Sequence, residues 1–115
     1  TPDGTCIRDY IHVEDLCNAH IQVMEAMRPG DQRFYNLGIG RGYSVKEVIE
    51  AAARVTGTEI PVTYGSRRAG DPAILFANAQ KIRDELGWQP TYTSIDPIVE
   101  TAWKWLKSHP DGYAE

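Results

Sequence analysis

Phe34-Tyr35-Asn36-Leu37-Gly38-Ile39-Gly40-Arg41-Gly42-Tyr43-Ser44-Val45-Lys46-Glu47 is the stretch that decides the class of fold. Its first four residues are rich in aromatics and end at a glycine, which predicts a short strand. Ser44 followed by Glu47 is a capping box, in which hydroxyl and carboxylate each take up a backbone amide left open at a helix start. A strand, a glycine-rich turn and a capped helix in succession make the chain α/β.

Toward the N-terminus, apolar residues at Val13, Leu16, Ala19, Ile21, Val23, Met24 and Met27 keep near-helical spacing and predict a helix with one face to bury. Arg28-Pro29-Gly30-Asp31 stops it. Toward the C-terminus the capped helix should run from Val45 to about Thr56 and stop at Gly57. Ile60 to Tyr64 then offers a second strand, with Pro61 at an edge or entry position, and Gly65 to Asp71 is loop. Asn78 caps a third helix through Leu86, closed by Gly87. Ser94 caps a fourth from Ile95 to Lys107, with Pro97 tolerated in its first turn. Ile98, Val99, Ala102, Trp103 and Leu106 form its expected buried stripe, and Trp88 sits at a packing corner.

The chain of 115 residues is near the size of one domain, so residues 1–115 are expected to share one core. A formal charge of -4 argues against a nucleic-acid partner. The apolar runs are too short for a membrane-spanning helix. Cys6 and Cys17 can supply neither a disulfide framework nor the paired spacing of a zinc site, so both read as structural, no metal is expected, and a reduced, cytoplasmic setting follows. Thr1-Pro2-Asp3-Gly4-Thr5 is polar and turn-like with no secretory signal, and reads as a chain entered midway.

Three segments could carry chemistry. Gly38-Ile39-Gly40-Arg41-Gly42 lies where a dinucleotide fingerprint would, but its third glycine comes after two residues instead of three and Tyr43 takes the required place, so a plain turn is favoured. Arg67-Arg68-Ala69-Gly70-Asp71 puts two guanidinium forks on a short loop. They suit phosphate oxygens, and Asp71 suits vicinal sugar hydroxyls, although a solvated loop with Asp71 paired to an arginine fits the same residues. Ile7 to Leu16 alternates, so that Arg8, Tyr10 and His12 share a side if extended, with Arg8 a second anion ligand. No serine, cysteine or paired carboxylate completes a nucleophilic system with His12, which reads as structural. Asp15 reads as a cap or turn acceptor.

Asp3-Gly4-Thr5, Arg8-Asp9-Tyr10-Ile11-His12-Val13 with Asp15-Leu16, Tyr35-Asn36-Leu37-Gly38, Tyr43-Ser44-Val45, Arg67-Arg68-Ala69-Gly70-Asp71 and Leu86-Gly87-Trp88 occur here in one order. Together they resemble the C-terminal part of the UDP-glucose 4-epimerases, members of the extended short-chain dehydrogenase/reductase family. The resemblance implies a small, mainly helical substrate-binding lobe with short strands, which normally completes an N-terminal Rossmann domain holding NAD and a catalytic Tyr-x-x-x-Lys pair. None of the tyrosines here has a lysine four residues on. The resemblance therefore implies no catalytic residue and no bound cofactor in this chain, with NAD belonging to the full-length parent. It assigns Arg8 and Arg68 to the diphosphate of a UDP-sugar, Asp71 to the uridine ribose, and Arg67 to a flanking role. Leu75 falls at the position lining the sugar pocket, where family members carry tyrosine, cysteine or another residue, which leaves open whether N-acetyl sugars fit.

The implied partners are a UDP-sugar, the chain's own Rossmann domain, whose sheet the Tyr-Asn-Leu-Gly strand should join, and a second copy, the parent being a dimer. Without that Rossmann domain, Phe34 to Leu37 and part of the first helix would leave an apolar patch and a bare strand edge, and self-association would follow. The other readings are the same lobe of another nucleotide-sugar epimerase, decarboxylase or dehydratase, and a non-catalytic UDP-sugar-binding module.

Overall fold

The computed structural model describes residues 1–113. Seven elements follow one another: β1 (Ile7–Arg8), α1 (Val13–Ala26), β2 (Tyr43–Ser44), α2 (Val45–Thr56), β3 (Ile74–Leu75), α3 (Gln80–Leu86) and α4 (Ile95–Ser108). The strands form one small sheet in the order β2-β1-β3. β1 runs antiparallel to β2, with Arg8 opposite Tyr43, and parallel to β3, with Arg8 opposite Leu75. The central strand is therefore built around Arg8. The class is α/β and mainly helical.

Local chemistry sets the helix ends. At the start of α2 the Ser44 amide donates to Glu47 Oε2 at 2.7 Å and the Glu47 amide donates to Ser44 Oγ at 3.1 Å, closing the capping box. Gly57 and Gly87 end α2 and α3 in the left-handed region, with φ 68° and 70°, where a Cβ would be strained. Asn78 does accept from the Gln80 amide at 2.8 Å, but the residue at the cap of α3 is Ala79. Ser94 occupies the cap position of α4 without a side-chain hydrogen bond. The cap of α1 is His12, whose Nδ1 accepts from the Glu14 amide at 3.1 Å.

Two strand expectations fail. Phe34 to Leu37 and Ile60 to Tyr64 are outside every ladder among the described residues. Strand propensity alone cannot hold a ladder without a neighbour to exchange hydrogen bonds with. Tyr35 and Leu37 still pack against the core while Phe34 stays 77% exposed.

Two apolar clusters hold the molecule. Ala19, Ala79, Ile82 and Trp88 form one, with Ile11, Val23, Tyr35, Leu37 and Leu86 against it. Tyr43, Ala51 and Ile95 form the other, with Tyr10, Ile39, Val48 and Val99. Within α4 the inward stripe is thus Ile95 and Val99, with Trp103 half-buried, whereas Ala102 and Leu106 are exposed. The expected stripe was rotated by part of a turn, because α2 packs on α4 from the Ile95 side, where Arg54 also reaches Asp96 at 2.7 Å.

Two carboxylates, Asp15 buried and Asp9 half-buried, tie the clusters together. Asp15 accepts from the Thr91 and Tyr92 amides at 2.8 and 2.9 Å, and its own carbonyl accepts from Trp88 Nε1 at 3.2 Å. It is a turn acceptor for a segment far away in sequence, not a cap. Asp9 accepts from the Ile39 and Ala77 amides at 3.1 and 3.2 Å, fixing the chain on both sides of β1. The radius of gyration is 16.9 Å, above the ~13 Å of a self-contained domain of this length. The outline is open, and Val13, Met24 and Phe34 lie exposed along it. No helix among the described residues is long and apolar enough to cross a membrane.

Candidate functional site

Arg8 leaves the central strand toward the loop that carries the two adjacent arginines. Its Nη2 lies 4.0 Å from Asp71 Oδ1. Arg68 meets the same carboxylate through Nη2 at 2.8 Å and Nε at 2.9 Å, both to Oδ2. Arg67 turns instead to the backbone, donating to the Asp71 carbonyl at 3.0 Å. Residues roughly sixty apart in sequence thus converge. They open on a cleft of about 490 Å³ that is also lined by Thr1, Thr5, Cys6 and Ser66. The loop can turn this tightly because Gly70 adopts φ 84°.

The opposite wall is braced by Asp3. Its carboxylate accepts from the Ser44 hydroxyl, from the Thr5 amide at 2.8 Å and from the Thr5 hydroxyl at 2.9 Å. These donors, the Ser44 hydroxyl first, lower the Asp3 carboxyl to about 2. The Ser44 oxygen that starts α2 therefore also aligns the Asp3-Gly4-Thr5 turn against the cleft. Sequence reading passed over the Thr5 and Ser66 hydroxyls as possible ligand contacts; the proximity of Ser66 to the arginine pair was the available signal.

Leu75 is placed differently. It opposes Arg8 in the ladder, is 58% exposed, and lines a neighbouring cavity of about 390 Å³ with Arg8, Asn36 and Asn78. Arg8 is the residue common to the two spaces.

Arg8, Tyr10 and His12 part ways. Tyr10 joins the Tyr43 cluster, and His12 is buried, with Nε2 2.7 Å from Thr101 Oγ1 and its ring stacked 3.8 Å from that of Tyr92. Both ring nitrogens of His12 are engaged inside the fold, which is a structural role. Cys6 lines the cleft half-buried, whereas Cys17 is exposed on α1 and holds nothing together. Among the described residues no three His, Cys, Asp or Glu side chains are grouped to hold a metal ion.

The glycine-rich turn does not offer a dinucleotide cradle. The space a Cβ would fill at Gly38 is taken by Asp9 and Ala77, and that at Gly42 by Ile7 and Phe76. These glycines permit close packing within the chain, so the residues present do not fit NAD there.

In chemical terms the cleft sets two guanidinium groups beside several hydroxyls, which suits it to holding an anion. A family profile described as GDP-mannose 4,6 dehydratase matches residues 2–101. The chain is 53% identical over 115 residues to a UDP-glucose 4-epimerase of Halalkalibacterium halodurans, covering 99% of this chain and 34% of that protein. A crystal structure of a UDP-glucose 4-epimerase superposes with a TM-score of 0.92 at 52% identity, over 100% of this chain and 35% of the other. That of the Bifidobacterium longum enzyme, in complex with NAD+ and UDP, gives 0.90 at 42% identity, over 98% and 33%. The chain spans about a third of the length of the curated relatives it matches.

Proposed function

Since the chain belongs to the GDP-mannose 4,6 dehydratase family and matches a fragment of an extended short-chain dehydrogenase/reductase epimerase, we propose that it is the UDP-sugar-binding portion of an NAD-dependent UDP-glucose/UDP-galactose 4-epimerase. The observation that carries this reading is the convergence of Arg8 and Arg68 on one cleft. Two guanidinium forks from independent segments match the oxygens of a diphosphate better than either alone. Asp71, Thr5 and Ser66 then surround the nucleoside side. Leu75, across the ladder from Arg8, faces the sugar side.

In this reading NAD and the catalytic pair are held by the remainder of the parent, a Rossmann domain that covers Val13, Met24 and Phe34, and the parent works as a homo-oligomer. The open outline and these exposed side chains support such a partner. The isolated chain is inactive and binds weakly. Two charge-assisted contacts contribute roughly 3 to 6 kcal/mol, against an association cost of about 4 kcal/mol or more, which leaves an affinity of roughly tens of millimolar or weaker.

The test is Arg68→Ala in the full-length parent. UDP-sugar binding should weaken by roughly 1.5 to 3 kcal/mol while the bound NAD spectrum stays as it was. Unchanged UDP affinity would sink the assignment. Assays with UDP-galactose, UDP-glucuronate and dTDP-glucose then decide the sugar class.

A further inference from the structure

We propose that Asp71 is the arginine pair's own counter-anion and that a ligand enters the cleft by exchanging with it, which makes Asp71 a selectivity device for polyanions. The proposal rests on the reading of this cleft as a diphosphate site and adds a role for Asp71 beyond contact with ligand hydroxyls. One carboxylate stands between two guanidinium groups: Oδ1 faces Arg8 at 4.0 Å, and Oδ2 takes both Nε and Nη2 of Arg68 at 2.9 and 2.8 Å. Two cations drawn this close repel, and the carboxylate between them offsets that repulsion.

An anion that takes the Nε–Nη2 edge of Arg68 together with the facing side of Arg8 displaces this carboxylate. A monoanion exchanges one charge for one and gains nothing from it. A diphosphate brings at least two charges and more acceptor oxygens than the carboxylate it replaces, so the exchange runs in its favour. The loop survives the exchange because a separate bond holds its backbone: Arg67 donates to the Asp71 carbonyl at 3.0 Å and does not involve the carboxylate. The Arg68 side chain is 85% exposed, which keeps the internal pair weak enough to be displaced.

The experiment is a titration of the full-length parent with inorganic pyrophosphate and, separately, with acetate, followed by amide NMR shifts at residues 65–75. Asp71→Asn should bind pyrophosphate about two- to fivefold more tightly than the wild type, the range expected when an exposed ion pair stops competing, and should acquire acetate binding that the wild type lacks. Asp71→Ala, read in the same way, guards against an amide-specific effect, and far-UV circular dichroism checks that both variants fold. Pyrophosphate affinity that is unchanged or lower in both variants overturns the proposal. Arg68→Gln separates the two levels. If it loses pyrophosphate binding while the Asp71 variants gain none, only the counter-anion role falls. If it binds as the wild type does, the diphosphate reading of the cleft falls too, and the counter-anion role with it.

Discussion

Asp15 is 1% exposed and gives its two carboxylate oxygens to the backbone amides of Thr91 and Tyr92. Asp71 keeps 32% of its side chain in solvent; its Oδ2 accepts from Arg68, and its Oδ1 faces Arg8 across 4.0 Å. The donors make the difference. A backbone amide is fixed by the fold and has no other partner to turn to, so the acid that serves it is part of the architecture. A guanidinium on an exposed loop can turn to another anion, so the acid that serves it can be exchanged.

The largest effect expected from this contrast is on stability. Asp15→Ala should cost about 3 kcal/mol or more, because two charge-assisted bonds vanish and two amides lose their partner, whereas Asp71→Ala should stay within about 1 kcal/mol. Urea denaturation of both variants measures the gap. Equal losses would mean that the arginine loop is as structural as the Asp15 brace.

Much of the helical framework could be read locally, because Ser44 with Glu47, Gly57 and Gly87 act within a few residues of themselves. The sheet could not. Each of its strands is two residues long, and what selects Ile7–Arg8 is pairing with residues 43–44 and 74–75, which no local pattern announces. Phe34 to Leu37 carries the opposite signal, strong propensity with no ladder partner among the described residues. Asp9 and Asp15 were equally hard to read, since an acid near a helix start is expected at the surface and only the tertiary fold brings distant amides to it. In the cleft, the adjacent arginines marked the loop and Arg8 was legible as a second anion ligand, but that Arg8 and Arg68 share Asp71 is set by the tertiary fold.

The next effect in size tests the exchangeable side. Arg68→Ala should leave the unfolding free energy from urea denaturation within about 1 kcal/mol of the wild type even as it weakens UDP-sugar binding in the parent. Loss of both together would show that Arg68 shapes the loop and does not chiefly serve the ligand.

Asp3 stands between the two kinds of acid and gives the smallest effect. It is exposed where Asp71 is half-buried, yet its donors are a backbone amide and hydroxyls, closer in kind to the amides around Asp15 than to a loop guanidinium. Those bonds favour the ionised form and hold its carboxyl at about 2, below the usual 3.8. A carboxyl lowered by folding contributes stability that is complete above its unfolded value and is lost as pH falls through its folded value. The window therefore runs from about pH 4 down to about pH 2. Carboxyl carbon NMR should give an Asp3 midpoint near 2, and Ser44→Ala, which removes the first of the donors, should raise it. The stability difference between wild type and Asp3→Asn should shrink across the same window. A midpoint near 3.8, or parallel stability profiles down to pH 2, would place Asp3 with the exchangeable acids, and the turn at residues 3–5 would lose its claim to be a fixed wall of the cleft.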